Sequence, residues 1–483
     1  MTVALAAEDR LDEDERAQIG ELSTKLHRHQ YSNANKFQYY DGEIGVDNIG
    51  IAIPQSMVNV KAVLAWPEIV VDALDERIEW LGWESTSDDP LVGELEHWFQ
   101  RANLSSLFDM AKHDAFVTGV GFLTLTQGDE SKGEPKIIAT EVSPFQATYV
   151  WDRRRNRMAR GLTLSVGPDG ERITTLFLPN ETVTVTQHPG EDEVVHRFRH
   201  NTERCRLIVW QNKRRSGDRQ GRSELTRPIR YYTDHGLRTI LGMEYNREIY
   251  TTPQRHFKNI EPEQLGFEET DTPWDVVQKG YQVAMSRAVI MPPNEKGEAE
   301  PSTGQYQAAP PTPYIDQLKM LAGQVAAATG IPVSQFGFIT ENPPSADAVR
   351  VMEGRHVKRA DRRIKVWDPT MVWDLAHVAV SIITGEKPDP EFLAGLVAKW
   401  ANTGTPTVAA AQDAASKAIE VGMAPADSPV MLRRAGFKED EIRQLERDRA
   451  RSVSRRLVEA IRDRQTLPGD RSVDRLVGQM GVD

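Results

Sequence analysis

Two helices separated by a glycine- and proline-marked loop, between Thr312 and Trp367, constrain this chain most, because neither has an apolar stripe wide enough for an ordinary core. Pro310, Pro311 and Pro313 stop whatever precedes them. Across 314–329, Ile315, Leu318, Ala322 and Val325 then share one face at spacings of three and four. Gly330 reads as a C-terminal cap, and Pro332 blocks a restart. The loop 331–344 carries Phe336, Gly337 and Phe338 and ends on the stiff pair Pro343-Pro344. Ser345 reads as the N-cap of the second helix, with Asp347 in its first turn where a negative charge suits the dipole. That helix is strongly charged from Arg355 to Lys365. Helices so poor in apolar surface are expected to bury part of their length against other copies of the chain.

A chain of 483 residues exceeds one typical core, so two to four structural units are expected. A formal net charge of -12 argues against a generic nucleic-acid coat, since such a surface repels phosphate on average. The one cysteine, Cys205, excludes an internal disulfide and a multi-cysteine zinc site, and fits a reducing compartment. Arg204 and Arg206 beside it favour a reactive thiolate, but a lone Cys in an alternating run is ordinarily structural. The start, MTVALAAEDRLDEDER, has no basic region and turns acidic at once, so it does not read as a signal peptide. No window approaches the ~20 apolar residues of a membrane span, and no membrane partner is expected.

In chain order, 8–29 reads as an amphipathic helix and 31–50 as a polar, turn-rich stretch. Residues 66–80, WPEIVVDALDERIEW, predict a second helix, with further helices over 89–102 and 104–117. After Gly119 the period changes to two: FLTLT, KIIATEV, ATYVW, GLTLSV, TTLFL, ETVTVTQ and RLIVW alternate between Gly, Asn, Asp and Pro turns, the mark of antiparallel β structure with one wet face. The polar run QNKRRSGDRQGR, 211–222, predicts a domain boundary. A helix of roughly 28 residues, ~42 Å long, follows over 223–250. Prolines break 251–313 into short pieces around one apolar strand, 287–291. The second helix of the opening pair is expected to kink or restart at Asp368-Pro369 and end near Gly385. A short connection and helix occupy 386–406, and the remainder is helical, its last run rich in Arg and Glu.

Catalytic signatures are scarce. No phosphate-cradling glycine loop, dinucleotide fingerprint, nucleophile elbow or H-E-x-x-H occurs, and GVGF at 119–122 reads as turn glycines. His196 and His200 are four apart, which binds metal on a helix, but they fall in a strand and turn without a third ligand, so no metal or other cofactor is expected. Arg153, Arg154, Arg155 and Arg157 cluster at one turn, where a binding site and a solvated hairpin tip both fit. GEDE at 190–193 and EETD at 268–271 are acidic turns of an ordinary kind.

Four blocks carry a family likeness: WPEIVVDALDERI at 66–78, VSPFQATYVWDRR at 142–154, GRSELTRPIRYYTDHGLRTILGMEYNREIYTTPQR at 221–255 and GIPVSQFGFITENPPSADAVRVMEGRHVKRADRR at 330–363. In this order, and over roughly 10–385, the chain resembles the portal proteins of long-tailed double-stranded-DNA bacterial viruses, particularly of phages infecting actinobacteria. The resemblance implies an α+β, mainly α portal fold: a wing over 1–222, a stem helix over 223–250, a small α/β clip over 251–313, a second stem helix over 314–329, a tunnel loop over 330–344, a long wing helix and connection over 345–402 and a helical crown over 403–483. It implies a homo-oligomer, a dodecameric ring at one capsid vertex, passing double-stranded DNA during packaging and ejection. The partners it implies are the terminase large subunit, a head–tail connector or adaptor, and the major capsid and scaffolding proteins. The location it implies is the virion, after assembly in the host cytoplasm, with no catalytic residue and no cofactor.

On this map Gly330, Pro332, Pro343 and Pro344 are loop hinges, and Gln335, Phe336, Phe338, Thr340 and Asn342 are candidates to meet DNA in the channel. The loop has no Lys or Arg, as suits a conduit in which DNA must slide. Phe336 and Phe338 serve equally well packed on an adjacent subunit. Arg355, Lys358, Arg359, Arg362 and Arg363 are candidates for contact between subunits. Two other readings stay open: a DNA-acting phage enzyme, favoured by the basic run 355–365, and a capsid adaptor that binds only proteins.

Overall fold

The computed structural model describes residues 10–45, 61–85, 89–200, 202–217, 219–251, 255–260, 268, 270–285, 288–291, 300–305, 307, 310–338, 346–404, 408–437 and 439–466. The chain forms two compact units, one ending at Thr403 and the other beginning at Gly404.

The first unit opens with α1 (Glu13–Tyr40). Its start is fixed by a reciprocal cap in which Asp12 accepts from the Glu15 amide at 2.6 Å and Glu15 accepts from the Asp12 amide at 2.9 Å. The helix runs well past the predicted stop, to Tyr40, half-way into the stretch read as turn-rich. Polar residues there are buried with partners: Asn33 donates to the Pro144 carbonyl, and the Tyr39 hydroxyl donates to Asp234 at 2.7 Å.

Next come α2 (Trp66–Asp75), β1 (Trp80–Ser85), α3 (Pro90–Arg101) and α4 (Leu104–Val117). The helix expected over 66–80 thus ends early, and Trp80 begins a strand. The sequence pattern there continues as a helix would, but a fully buried Trp80, set edge-on against Trp83, Phe99 and Phe108, takes the residue into the core instead.

The alternating region forms β2 (Val120–Gln127), β3 (Ile137–Val142), β4 (Ala147–Asp152), β5 (Arg157–Val166), β6 (Arg172–Phe177), β7 (Glu181–Gln187), β8 (Val194–Arg199) and β9 (Leu207–Gln211). β4 to β8 make a five-stranded antiparallel meander, while β2 is flanked by β3 and β9 in a separate three-stranded sheet. Every pairing is antiparallel, as the period-two pattern predicts. The glycines of GVGF have a packing role: a Cβ on Gly121 would sit 1.7 Å from the Ala111 carbonyl oxygen of α4. Gly121→Ala is therefore expected to push α4 off β2 and cost about 1–3 kcal/mol, read as a lowered thermal midpoint.

α5 (Arg227–Thr251) leads into β10 (Arg255–Lys258), α6 (Pro273–Met285), β11 (Ala288–Met291) and β12 (Ser302–Gln305). β10 pairs in parallel with β11 and antiparallel with β12, so this small sheet has a crossover helix on a short scale. α7 (Thr312–Thr329) returns along α5. Leu225 just before α5, Ile229 at its start and Val325 near the end of α7 share one core, while Tyr314 at the start of α7 lies against Gly242 farther along α5, so the two helices run antiparallel.

After α8 (Ala346–Thr370) the helix continues through a π-turn, Met371–Ala376, into α9 (His377–Thr384). Pro369 lacks an N–H and disturbs the hydrogen-bond ladder here, the predicted kink taking the form of a widened turn. The indole of Trp83 donates to the Met371 carbonyl at 3.1 Å. α10 (Pro390–Gly395) is followed by β13 (Leu396–Trp400), which pairs with β1, Trp80 opposite Trp400. The stretch read as connection and helix therefore also supplies a strand, closing the first unit on its early core.

The second unit holds α11 (Val408–Glu420), α12 (Pro429–Arg434) and α13 (Glu439–Thr466). Ala411, Ala415, Met431 and Ile442 form its small interior, and Arg449 pairs with Asp427 at 3.3 Å.

Candidate functional site

The helix–loop–helix of 312–367 is built from α7, its cap and α8. The first half of α7 is bare, with Ile315 39% and Met320 53% exposed, whereas Leu321, Ala322, Val325, Ala326 and Thr329 are buried. Gly330, at φ +77°, ends the helix and donates its N–H to the Ala326 carbonyl at 2.7 Å. Arg355 of α8 donates to the Ala327 carbonyl at 2.6 Å, so the last turn of α7 is satisfied from two sides.

Beyond the cap, Ile331 is buried and a single 3-10 turn over Val333–Phe336 follows, closed by Gly337 at φ +86°. Phe336 is 6% exposed, its ring edge-on to Trp66 of α2 with centroids 6.4 Å apart. In the single chain its ring is spent on this core, an arrangement that favours packing over contact with DNA. Phe338 packs partly on the same core, and Gln335 is exposed. Thr340, Asn342, Pro343 and Pro344 lie outside the described residues.

α8 turns inward a face made of His356, Ala360, Arg363 and Trp367, at spacings of four, three and four. Its apolar stripe is narrow because much of the buried face is polar and partnered. His356 Nε2 lies 2.8 Å from the Ala73 carbonyl, with burial pushing its pKa down, and the Trp367 indole donates to the Gln211 carbonyl at 3.1 Å. Over 356–367 burial is thus supplied within the chain, while Val351 at 81% and Met352 at 45% exposure, nearer the start of α8, stay uncovered.

The centre of that face is Glu224, whose side chain is fully buried just before α5. It receives Lys213 Nζ at 2.5 Å, Arg359 Nη2 at 2.5 Å and Arg363 Nη2 at 2.8 Å. Asn212 Nδ2 adds a hydrogen bond at 3.1 Å, and the Glu224 amide donates to the Phe116 carbonyl. Arg359 and Arg363, expected at contacts between subunits, are in the single chain ligands of its own buried carboxylate. Four apart on a helix, they share a face, while Lys358 and Arg362 point outward and are exposed. Burial pushes the Glu224 carboxyl up, but Lys213, Arg363 and Arg359 outweigh it and hold it at about 2.

The run 211–222 is consequently a tied loop rather than a free linker. Asn212 donates its N–H to the Gly119 carbonyl, Arg222 donates its own to Asn212, and a Cβ on Gly221 would lie 1.7 Å from the Gly119 oxygen. No single stretch of sequence signals Glu224, since its partners lie in three places along the chain.

Other candidates are structural where described. Burial pushes the Cys205 thiol up to about 12, against the pull of Arg157 and Arg204. His200 sits between the Thr182 and Thr202 hydroxyls, at 3.2 and 2.8 Å, and burial beside Arg206 lowers it to about 3. At the arginine turn, Asp152 accepts the Arg154 and Arg155 amides, and Arg153 donates to the Gly217 carbonyl. Among the described residues no group of three His, Cys, Asp or Glu is placed to hold a metal, and no helix is long and apolar enough to cross a membrane.

A family model described as phage portal protein, SPP1 Gp6-like, matches residues 23–454. The portal protein of Mycobacterium phage L5 is 28% identical over 391 residues, covering 80% of this chain and 78% of that protein. The portal protein of Mycobacterium phage D29 is 28% identical over 386 residues, covering 78% of this chain and 77% of that one. Among solved structures, the neck of a native GTA particle computed with C12 symmetry aligns with a TM-score of 0.41 at 11% identity, over 77% of this chain and 90% of its own. Matched by that family model along most of its length, the chain belongs to the SPP1 Gp6-like phage portal proteins.

Proposed function

We propose that twelve copies of the chain form a portal ring at one capsid vertex, a channel for DNA packaging and ejection on which the terminase large subunit and the head–tail connector dock in turn. In this reading the first unit up to 222, with 345–402, is the wing; 223–250 and 314–329 are the stem; 251–313 is the clip; 330–344 is the tunnel loop; and the second unit is the crown. The observation that carries the ring is the bare end of the helix pair and its appendage. Ile315 and Met320 on α7, and Trp274 at 70% and Val277 at 61% exposure on α6, are uncovered in a single chain. A head-to-tail ring buries a different face of each copy on each neighbour and so covers such patches without needing one broad stripe. Gln335, with Thr340 and Asn342, is the polar part of the loop assigned to the channel, and Lys358 and Arg362 are assigned to subunit contact. As a conduit, the ring has no reaction of its own to catalyse. Electron microscopy of the purified chain is expected to show rings with a central opening wide enough for duplex DNA. A species that stays monomeric at every concentration tested overturns the reading.

A further inference from the structure

Between α1, β4 and the start of α5 lies a cleft of about 540 Å³, within the range of specific ligand sites. Lys36, Arg215, Arg227 and Arg230 line it, and none of its lining residues is acidic. Lys36 Nζ donates to the Thr118 carbonyl at 2.8 Å and Arg230 Nη1 to Asn35 at 3.0 Å, both neutral acceptors. The nearest acid on α5, Asp234, is engaged by the Tyr39 hydroxyl. Burial and the neighbouring Arg230 lower Lys36 to about 8, a sign of positive charge crowded without an anion to relieve it. The start of α5 adds the positive end of its dipole. The walls are also partly apolar, with Phe122 and Leu225 among them. A sliding DNA backbone has no use for a recessed, partly apolar wall, whereas carboxylates next to an aliphatic side chain match both parts of the lining.

The same chain exposes such a segment. In the turn between β7 and β8, Glu191, Asp192 and Glu193 are all exposed, as is Val194, which opens β8. Other acidic turns satisfy their carboxylates locally. Asp129 accepts from Ser131, Glu171 from the Asp169 amide, and Asp271 from Lys279. Among the described residues, Glu191, Asp192 and Glu193 have no such partner. Their turn is tied between the paired strands β7 and β8, and no residue of it lines the cleft of its own chain, which points to the turn of another molecule as the occupant. We propose that the cleft binds a carboxylate-rich peptide segment, and that the segment is the turn 190–194 of a second copy. The inference rests on the ring reading above, in which unlike faces of neighbouring copies meet.

Two measurements on the full chain test it. First, a fluorescent peptide of residues 188–196 is titrated with wild-type protein and with R215E/R227E, both changes being at exposed positions. Saturable binding that weakens with salt is expected, about tenfold weaker to the variant and for a peptide with Gln, Asn and Gln in place of the three acids. No binding, or equal binding by the neutral peptide or the variant, overturns the proposal. So does a duplex oligonucleotide that binds through the same arginines while the peptide does not, which makes the cleft a phosphate site. Second, the concentration needed for ring assembly is compared among wild type, R215E/R227E, E191R/E193R and the combined variant. Each reversal alone is expected to raise it about tenfold, and the combination to return it to within about threefold of wild type. A combination no better than the worse single variant counts against the proposal. Wild-type protein that makes no rings sinks the portal reading instead, and the peptide titration then decides this one.

Discussion

Glu224→Ala is expected to destabilise the first unit by about 3–5 kcal/mol, because it leaves Lys213, Arg359 and Arg363 crowded in the interior without their anion. The same ion pairs hold the carboxyl at about 2 rather than its ordinary 4.5, a preference for the ionised form of roughly 3 kcal/mol. Glu224→Gln keeps a hydrogen-bond acceptor for Asn212 but not the charge, and should fall between alanine and wild type. The pH dependence carries a definite sign. A carboxyl held below its unfolded value contributes its full stability above about pH 4.5 and loses it as pH falls toward 2. Denaturant midpoints measured at pH 7 and pH 3 should therefore converge between wild type and Glu224→Gln at the acid end. A gap that stays constant or widens on acidification would show that the carboxylate is not the stabilising species. Replacing all four charged members with Leu and Met is a separate matter and is expected to cost far less than the single change, since an apolar cluster strands no charge. The group fixes geometry: it joins the loop after β9, the root of α5 and the inward face of α8 at one point.

What the sequence shows and hides follows from the range of each interaction. Seven of the eight strands from β2 to β9, all but β8, were legible as alternating runs because alternation and turn residues are local properties, and so were the helices α5 and α7, bounded by prolines and Gly330. Trp80 was misread because nothing near it opposes a helix; its strand exists to pair with Trp400 far along the chain. The basic run 355–365 showed which residues were charged but not that Arg359 and Arg363 turn inward while Lys358 and Arg362 turn out, since that needs the position of Glu224. Phe336 was visible as a loop aromatic, but which surface it packs on depends on Trp66, supplied by another helix. Local pattern thus fixed the elements, and buried polar partners decided how they join.

The loop following α7 gives the second large expected effect. Replacing Gly330, Ile331 and Pro332 together by alanine removes both the left-handed cap and the residue that prevents a restart, so local propensity favours extending α7. Tertiary contacts oppose this. Alanine at φ +77° costs about 1–2 kcal/mol and its Cβ would meet the Arg355 side chain at 3.0 Å, so the cap conformation is strained in the variant. Truncating the buried Ile331 costs a further ~2–5 kcal/mol. If the helix does extend, Phe336 must leave Trp66, and the loop that follows is carried off the core. Rings are still expected to form, because the bare half of α7 and the exposed face of α6 are untouched, but heads assembled with the variant should contain severalfold less DNA than wild type. Phe336→Ala separates the causes: it frees the anchor while leaving the cap and Pro332 in place. Loss of packaging in both variants points to the position of the loop, whereas loss in the triple variant alone points to helix extension. Normal packaging by both, with rings intact, would remove the loop from any part in DNA passage.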